Sequence, residues 1–308
     1  MKVQYCRHAG QRYSPDITER RDCALKNRSS DTFPRLAVLA SALLFSTGGL
    51  FFKIIPWDAL AIGSARSILA GTAILIWLLI RKHKFRINRT VLIAAAAISI
   101  TNTLYALANK LTTAGNTIVL QFTMPVFVIL IMLCFFHRKP SVLEIGTCVV
   151  TLLGIVLFFV DSLSAGNMLG NLLAVLSGMA YAVFFVWNSR EDSEPYTTIL
   201  ISYVIAALIG LPSLLRTDIA GASSGTLLSV LGLGLLQQAA GHILFAVGIK
   251  RTPAVTASLI SGIEPILNPI LVAVFYHEML TPLSLFAAGL VLSAVLFYNI
   301  RTAKSAAA

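Results

Sequence analysis

Glu264, Arg66 and His242 fall deep inside long apolar runs of a 308-residue chain, and each could do chemistry there. A carboxylate near the middle of a bilayer can bind a coupling proton or accept hydrogen bonds from a substrate ammonium. A guanidinium can hold a substrate carboxylate with its fork of donors, and an imidazole can shuttle protons near neutral pH. Placing such groups in hydrocarbon costs about a few kcal/mol unless they face a cavity or a partner, so each marks a candidate site. The plainer alternatives are that Glu264 pairs with Arg66 or serves backbone freed by Pro265 and Pro269, that Arg66 snorkels, and that His242 is hydrogen-bonded inside the bundle. Asn102, Tyr105 and Gln121 are candidate lining residues. Asn116, Gln237, Gln238 and Asn268 supply further donors and acceptors, and Tyr181 and Trp187 could add an aromatic side, although polar groups in such positions also serve as interhelical glue.

The elements that must position these residues are membrane helices. Hydrophobic residues make up 57% of the chain and charged residues 12%, with a mean hydropathy of +0.82. Soluble domains carry roughly 25% charged residues, so a soluble globule is excluded. Ten apolar blocks, at about 36 to 55, 57 to 80, 91 to 110, 113 to 136, 142 to 160, 168 to 188, 196 to 215, 226 to 248, 253 to 276 and 281 to 300, are each long enough to cross a hydrocarbon layer of about 30 Å as a helix. They are continuously apolar rather than alternating, which argues for helices over barrel strands. The reading is an all-α membrane protein with ten transmembrane helices. Connections too short for an extramembrane domain join them.

Residues 1 to 35 carry eight of the 24 basic residues and read as a disordered cytosolic tail. The basic stretch is too long for a signal peptide and no small-residue cleavage site follows it. Cys6, Cys23 and His8 lack zinc-type spacing, and with Cys134 and Cys148 they read as reduced thiols. With the amino terminus inside, 20 of the 24 Lys and Arg residues fall on the cytosolic side. Lys53, Lys110 and Arg216 fall outside, and Arg66 lies within a span. Both termini, including the short tail 301 to 308, are then cytosolic. The net charge of +11 is a topology and lipid-headgroup signal, not a nucleic-acid one.

Sliding the chain along itself exposes an internal repeat. Residues 105 to 158 lie over 245 to 298 at an offset of 140, pairing Lys110 with Lys250, Pro125 with Pro265 and His137 with His277. Asn102 and His242 are equivalent in the same register, as are Tyr105 and Phe245. Each half then holds five helices, 36 to 161 and 168 to 300, and an odd number forces the second to enter the membrane from the opposite side. Inverted repeats of this kind belong to secondary transporters, whose helices break near a midplane site. Pro125, Pro265 and Pro269 are the candidate helix breaks, because proline removes a backbone donor.

The runs "ANKLTTAGNTIVLQFTMPVFVILIMLCFF" and "VGIKRTPAVTASLISGIEPILNPILVAVFYHEML" resemble the two EamA repeats of the drug/metabolite transporter superfamily, most closely at Glu264-Pro265, His277-Glu278 and the helix of Gly289. The resemblance covers about residues 36 to 300 and implies a carrier of small metabolites, drugs or nucleotide sugars without singling out one. Arg138-Lys139 in the first repeat replace Glu278-Met279 of the second.

Hydrolytic chemistry fares badly, since the chain has no H-E-x-x-H zinc pair, no G-x-S-x-G elbow and no P-loop lysine motif. No cofactor or metal is therefore expected. The sequence supports a secondary transporter, an exporter of small metabolites or amino-acid-like solutes in the inner membrane, driven by a proton or by exchange. The alternatives are a drug or cation efflux carrier and a non-transporting membrane receptor. Its expected partners are a small-molecule substrate and the lipid bilayer, as a monomer or a homodimer.

Overall fold

The computed structural model describes residues 32–137, 140–165, 167–188, 190, 192–249, 260–261, 263–277 and 279–307. The basic tail through residue 31, with Cys6 and Cys23, and most of the first half of the expected ninth crossing lie outside them. Numbered along the chain, α1 is Thr32–Ser46, α2 Gly48–Ile54, α3 Ala59–Ile80, α4 Arg89–Leu111, α5 Ala114–Gln121, α6 Met124–Phe136 and α7 Val142–Ala165. They are followed by α8 Met168–Asn188, α9 Pro195–Leu215, α10 Ser224–Leu231, α11 Gly241–Ile249, α12 Glu264–Tyr276 and α13 Pro282–Ala307, with a π-helical stretch Gly232–Ala240 joining α10 to α11.

The described residues contain no strand. Seven helical segments are long and apolar enough to cross a membrane: Phe33–Ile54, Ala59–Ile80, Arg89–Leu111, Ala114–Phe135, Met168–Asn188, Pro195–Leu215 and Ser224–Gly248. Each lies within a few residues of an expected block. The other three expected crossings hold shorter apolar stretches, Val142–Leu157, Glu264–Tyr276 and Pro282–Tyr298. Two boundaries differ from expectation, because α1 already begins at Thr32 and α13 runs on to Ala307.

Helix starts are fixed by side chains that serve the free amides of the first turn. Asp58 accepts from Leu60 and Ala61, Asn88 from Val91, Thr113 from Asn116, Glu194 from Thr197 and Ser223 from Thr226. Ser141 and Glu144 form a reciprocal capping box at the start of α7.

Among the described residues, three of the expected crossings are interrupted. The first breaks at Thr47, whose hydroxyl donates to Leu44 O at 2.7 Å while Ser46 donates to Ala42 O at 2.7 Å. The fourth breaks at Phe122 and Thr123, just before Pro125, and the Thr123 hydroxyl donates to Leu120 O at 2.6 Å. A turn at Ile263 precedes α12, where Pro265 occupies the first helical turn. Pro269, expected to break its helix, instead lies inside the continuous α12. It stands one turn past the helix start, so only the Pro265 carbonyl loses its donor. His137 and His277 end α6 and α12 in the same left-handed conformation, at φ 51° and 58°.

The distribution of polarity is inverted relative to a soluble protein. Large apolar side chains such as Ile80 (74%) and Phe135 (72%) lie on the exposed face, while Arg66, Asn109, Gln121, Asn171, Gln238 and Asn268 are buried. This arrangement suits lipid outside and hydrogen-bonded polar groups inside. Glycines let helices approach. A Cβ at Gly178 would stand 2.8 Å from Gln121 O at the break of the fourth crossing, and one at Gly170 would stand 2.8 Å from Thr112 N.

Gly178→Val should therefore force backbone to move and cost about 1–3 kcal/mol, the scale of overpacking. Gly146→Ala, with nothing within 4 Å of the added methyl, should be neutral or slightly stabilising. Unfolding midpoints in detergent check both, and equal stability of the two variants would contradict the packing account.

Candidate functional site

Arg66 sits in the middle of α3 and is only 3% exposed. Its Nη2 donates to Asn102 O at 3.3 Å, and the guanidinium lies 4.9 Å from the centre of the Phe52 ring, a stacking arrangement that favours arginine. A cleft of about 10 Å³ opens beside it, lined by residues that include Gly63, Ser67, Asn102, Thr103 and Gly210. That is room for about one water, so this conformation holds the cleft between α3, α4 and α9 nearly closed.

A second group surrounds His242. Its Nδ1 is 2.8 Å from Gln238 O and 2.9 Å from the Tyr203 hydroxyl, which lies 2.7 Å from Gln238 Oε1. One consistent assignment has Nδ1–H donating to the Gln238 carbonyl and Tyr203 donating to the Gln238 amide oxygen. Phe45 packs edge-on against the imidazole at 4.9 Å. His242 is thus held through Nδ1, and any proton shuttling would fall to Nε2.

The third group contains Glu264, Tyr105, Tyr181 and Gln121. Glu264 opens α12 directly after the turn at Ile263, and its charge reaches both Tyr105 and Tyr181. Gln121 donates to Ser177 Oγ at 3.2 Å, linking the end of α5 to α8. Tyr181 packs against Phe184 and Phe185, with ring centres 5.9 Å and 5.0 Å away. Arg66 and Glu264 form no ion pair with each other. Tyr105 interacts electrostatically with both. The structure therefore brings Arg66 and Asn102 together, places His242 in a separate hydrogen-bonded knot, puts Glu264 within electrostatic reach of Tyr105 and Tyr181, and ties Gln121 to Ser177, one turn before Tyr181 on α8.

Tyr203, Phe52 and Ser177 carry contacts that the sequence reading did not single out. Tyr203, a tyrosine well inside an apolar span, was the readable signal among them. Both ends of the α3–α9 pair are also tied. Asp58 accepts from Ser213 at one end, and His83 Nε2 lies 3.2 Å from Glu194 Oε2 at the other. Beside the latter, Asn88 Nδ2 donates to Asp192 O at 2.6 Å and Thr90 to Asp192 Oδ2 at 2.5 Å.

With this geometry in view, comparison with known proteins settles the family. The EamA-like transporter family matches residues 33–160 and 168–300. The chain belongs to the EamA-like transporter family. It is 27% identical over 81% of its length to the uncharacterized transporter YwfM of Bacillus subtilis, covering 88% of that protein. It is 29% identical to the threonine/homoserine exporter RhtA of Escherichia coli over 63% of this chain, and spans 65% of RhtA. A solved crystal structure shares the fold at a TM-score of 0.62 and 17% identity, over 87% of this chain and 98% of that one. Taken together, the family match and the apolar helices make the chain a multi-pass membrane protein of a transporter family.

The end ties give a pH dependence. Burial pushes the Glu194 carboxyl up, but hydrogen bonds from Thr197 and the contact with His83 outweigh it and hold the group below the usual carboxylate range. A hydrogen bond from Ser213, set against burial, does the same for Asp58. A depressed folded-state pKa stabilises above the ordinary carboxylate range and loses that contribution as pH falls through the folded value. The unfolding midpoint should thus decline below about pH 4.5. Glu194→Gln should flatten part of the decline; an unchanged slope would show that this tie contributes nothing.

Proposed function

We propose that this chain is a secondary transporter, working as an exporter of small metabolites or amino-acid-like solutes by alternating access of two inverted five-helix halves. The observation that carries the reading is that buried Arg66 and partly buried Glu264 both interact with Tyr105 yet form no ion pair with each other, inside a bundle with interrupted helices. A zwitterionic solute needs an acceptor for its ammonium and donors for its carboxylate. An arginine and a glutamate at different points of one interior, not paired with each other, offer both.

The packing supports the inverted halves. α4 packs on α8 as α11 packs on α1, while α3 pairs with α9 and α7 with α13; exchanging the first five crossings for the last five leaves this scheme unchanged. The matching left-handed ends at His137 and His277 follow the 140-residue offset. The bias of basic residues supports an inner-membrane chain with both termini cytosolic, and the likeness to RhtA, a threonine/homoserine exporter, supports threonine-like solutes and export. With no nucleotide motif in the sequence, a proton or a second solute would drive the cycle.

Proteoliposomes loaded with a labelled panel that includes threonine and homoserine test the proposal. Arg66→Ala and Glu264→Gln should each reduce flux by about 10-fold or more, the scale of a lost hydrogen bond to a charged group. Full flux in both variants would remove the site assignment. Absence of flux for every solute in the wild type would count against a carrier.

A further inference from the structure

The three groups described above leave one set of buried polar atoms without a role. Asn268 is 0% exposed, and neither its Oδ1 nor its Nδ2 has a geometrically sound hydrogen-bond partner among the described residues. Asn109 Oδ1 and Gln237 Oε1 are buried in the same condition, although Asn109 Nδ2 donates to Tyr105 O at 3.1 Å. An orphaned buried amide costs about 1–3 kcal/mol, so a group of them calls for an explanation.

The side chains that carry these atoms converge on one place. The Tyr105 hydroxyl lies beside the Asn109 and Asn268 amides. Gln237 Nε2 is 3.0 Å, and the Tyr105 hydroxyl 3.9 Å, from where a Cβ of Gly48 would stand, while the Asn268 amide crowds the corresponding point of Gly49. Side chains from α4, the π-helical stretch and α12 thus meet at two adjacent glycines, just past the break at Thr47. Glu264 precedes Asn268 by one turn on the same face of α12, and its charge reaches Tyr105.

The chemistry of the cluster is lopsided. The Tyr105 hydroxyl has one proton and can serve only one of the three amide oxygens. The amide nitrogens are donors as well, but of the buried atoms here without a partner three are acceptors, Asn109 Oδ1, Gln237 Oε1 and Asn268 Oδ1, and one is a donor, Asn268 Nδ2, and a carboxylate stands at the rim. In the repeat register Glu264 and Asn268 lie over Met124 and Val128, so the corresponding helix of the other half does without polar groups at these points. The fold itself does not demand them.

We propose that Tyr105, Asn109, Gln237 and Asn268, with Glu264 at the rim, form a subsite for a small monovalent cationic head, either the primary ammonium of the carried solute or an alkali metal ion. Both ligands seek several oxygen acceptors, and both would occupy the amide oxygens now without donors. The inference deepens the transport reading and rests on it for its purpose, by giving the solute a cationic end opposite Arg66. Its test reads binding and needs no flux.

The full chain in detergent is titrated with methylammonium, sodium and choline chlorides at constant ionic strength while thermal unfolding is followed. Choline lacks an N–H and is too bulky for the cluster. Methylammonium or sodium should raise Tm by about 3 °C or more at saturation, and choline should not. A response to methylammonium alone identifies the solute ammonium, and one to sodium alone identifies an alkali ion. Asn268→Leu, which replaces an orphaned amide by an apolar group of similar size, should lose the response while keeping its Tm in choline. Gln237→Leu provides the same readout should the first variant fail to fold. No shift with either small cation in the wild type, or a full shift in the variants, overturns the proposal. A retained cation response without solute flux would instead remove the transport reading and leave the subsite standing.

Discussion

A backbone carbonyl that loses its helical partner inside a bilayer can turn only to the protein itself. This constraint governs where the crossings may break. At the breaks near Thr47 and Thr123, hydroxyls of Ser46, Thr47 and Thr123 donate to carbonyls three or four residues earlier. The irregular backbone is then buried rather than turned to lipid: Gly178 presses on Gln121 O, and the turn after Thr47 brings Gly48 and Gly49 against Gln237 and Asn268. The polar interior and the broken helices are thus one feature seen twice. Without the breaks, small residues and amides could not come this close.

The same logic explains why the central charges stay apart. A direct Arg66–Glu264 pair would neutralise itself, and parting it later would expose two uncompensated charges. Arg66 rests instead on the π face of Phe52 and on a neutral carbonyl of Asn102. Neither partner carries a full charge. The guanidinium is held in place without being neutralised, as a group poised for an anionic ligand requires.

Much of this was legible in one dimension, because hydropathy needs only composition within a window. Spans such as Ala59–Ile80 and Met168–Asn188 lie almost where the apolar blocks put them, and Asp58 and Asn88 mark helix starts by residue type. What escaped depends on geometry. An arginine side chain reaches far enough to serve either a glutamate or a carbonyl on another helix, so spacing alone left the Arg66 pairing open. Proline likewise has no single outcome: Pro125 and Pro265 stand at fresh helix starts, whereas Pro269 is absorbed because its missing amide falls one turn in. Tyr203 and Ser177 acquire their partners only when α9 and α8 pack against distant segments.

The α3–α9 pair carries the argument furthest. Asp58 at the start of α3 meets Ser213 near the end of α9, and Glu194 at the start of α9 meets His83 just past the end of α3, so the two helices run antiparallel and are tied at both ends. Each acid caps its own helix and reaches across to the other. The ties are alike in plan but unlike in chemistry, since Asp58 meets a hydroxyl and Glu194 an imidazole.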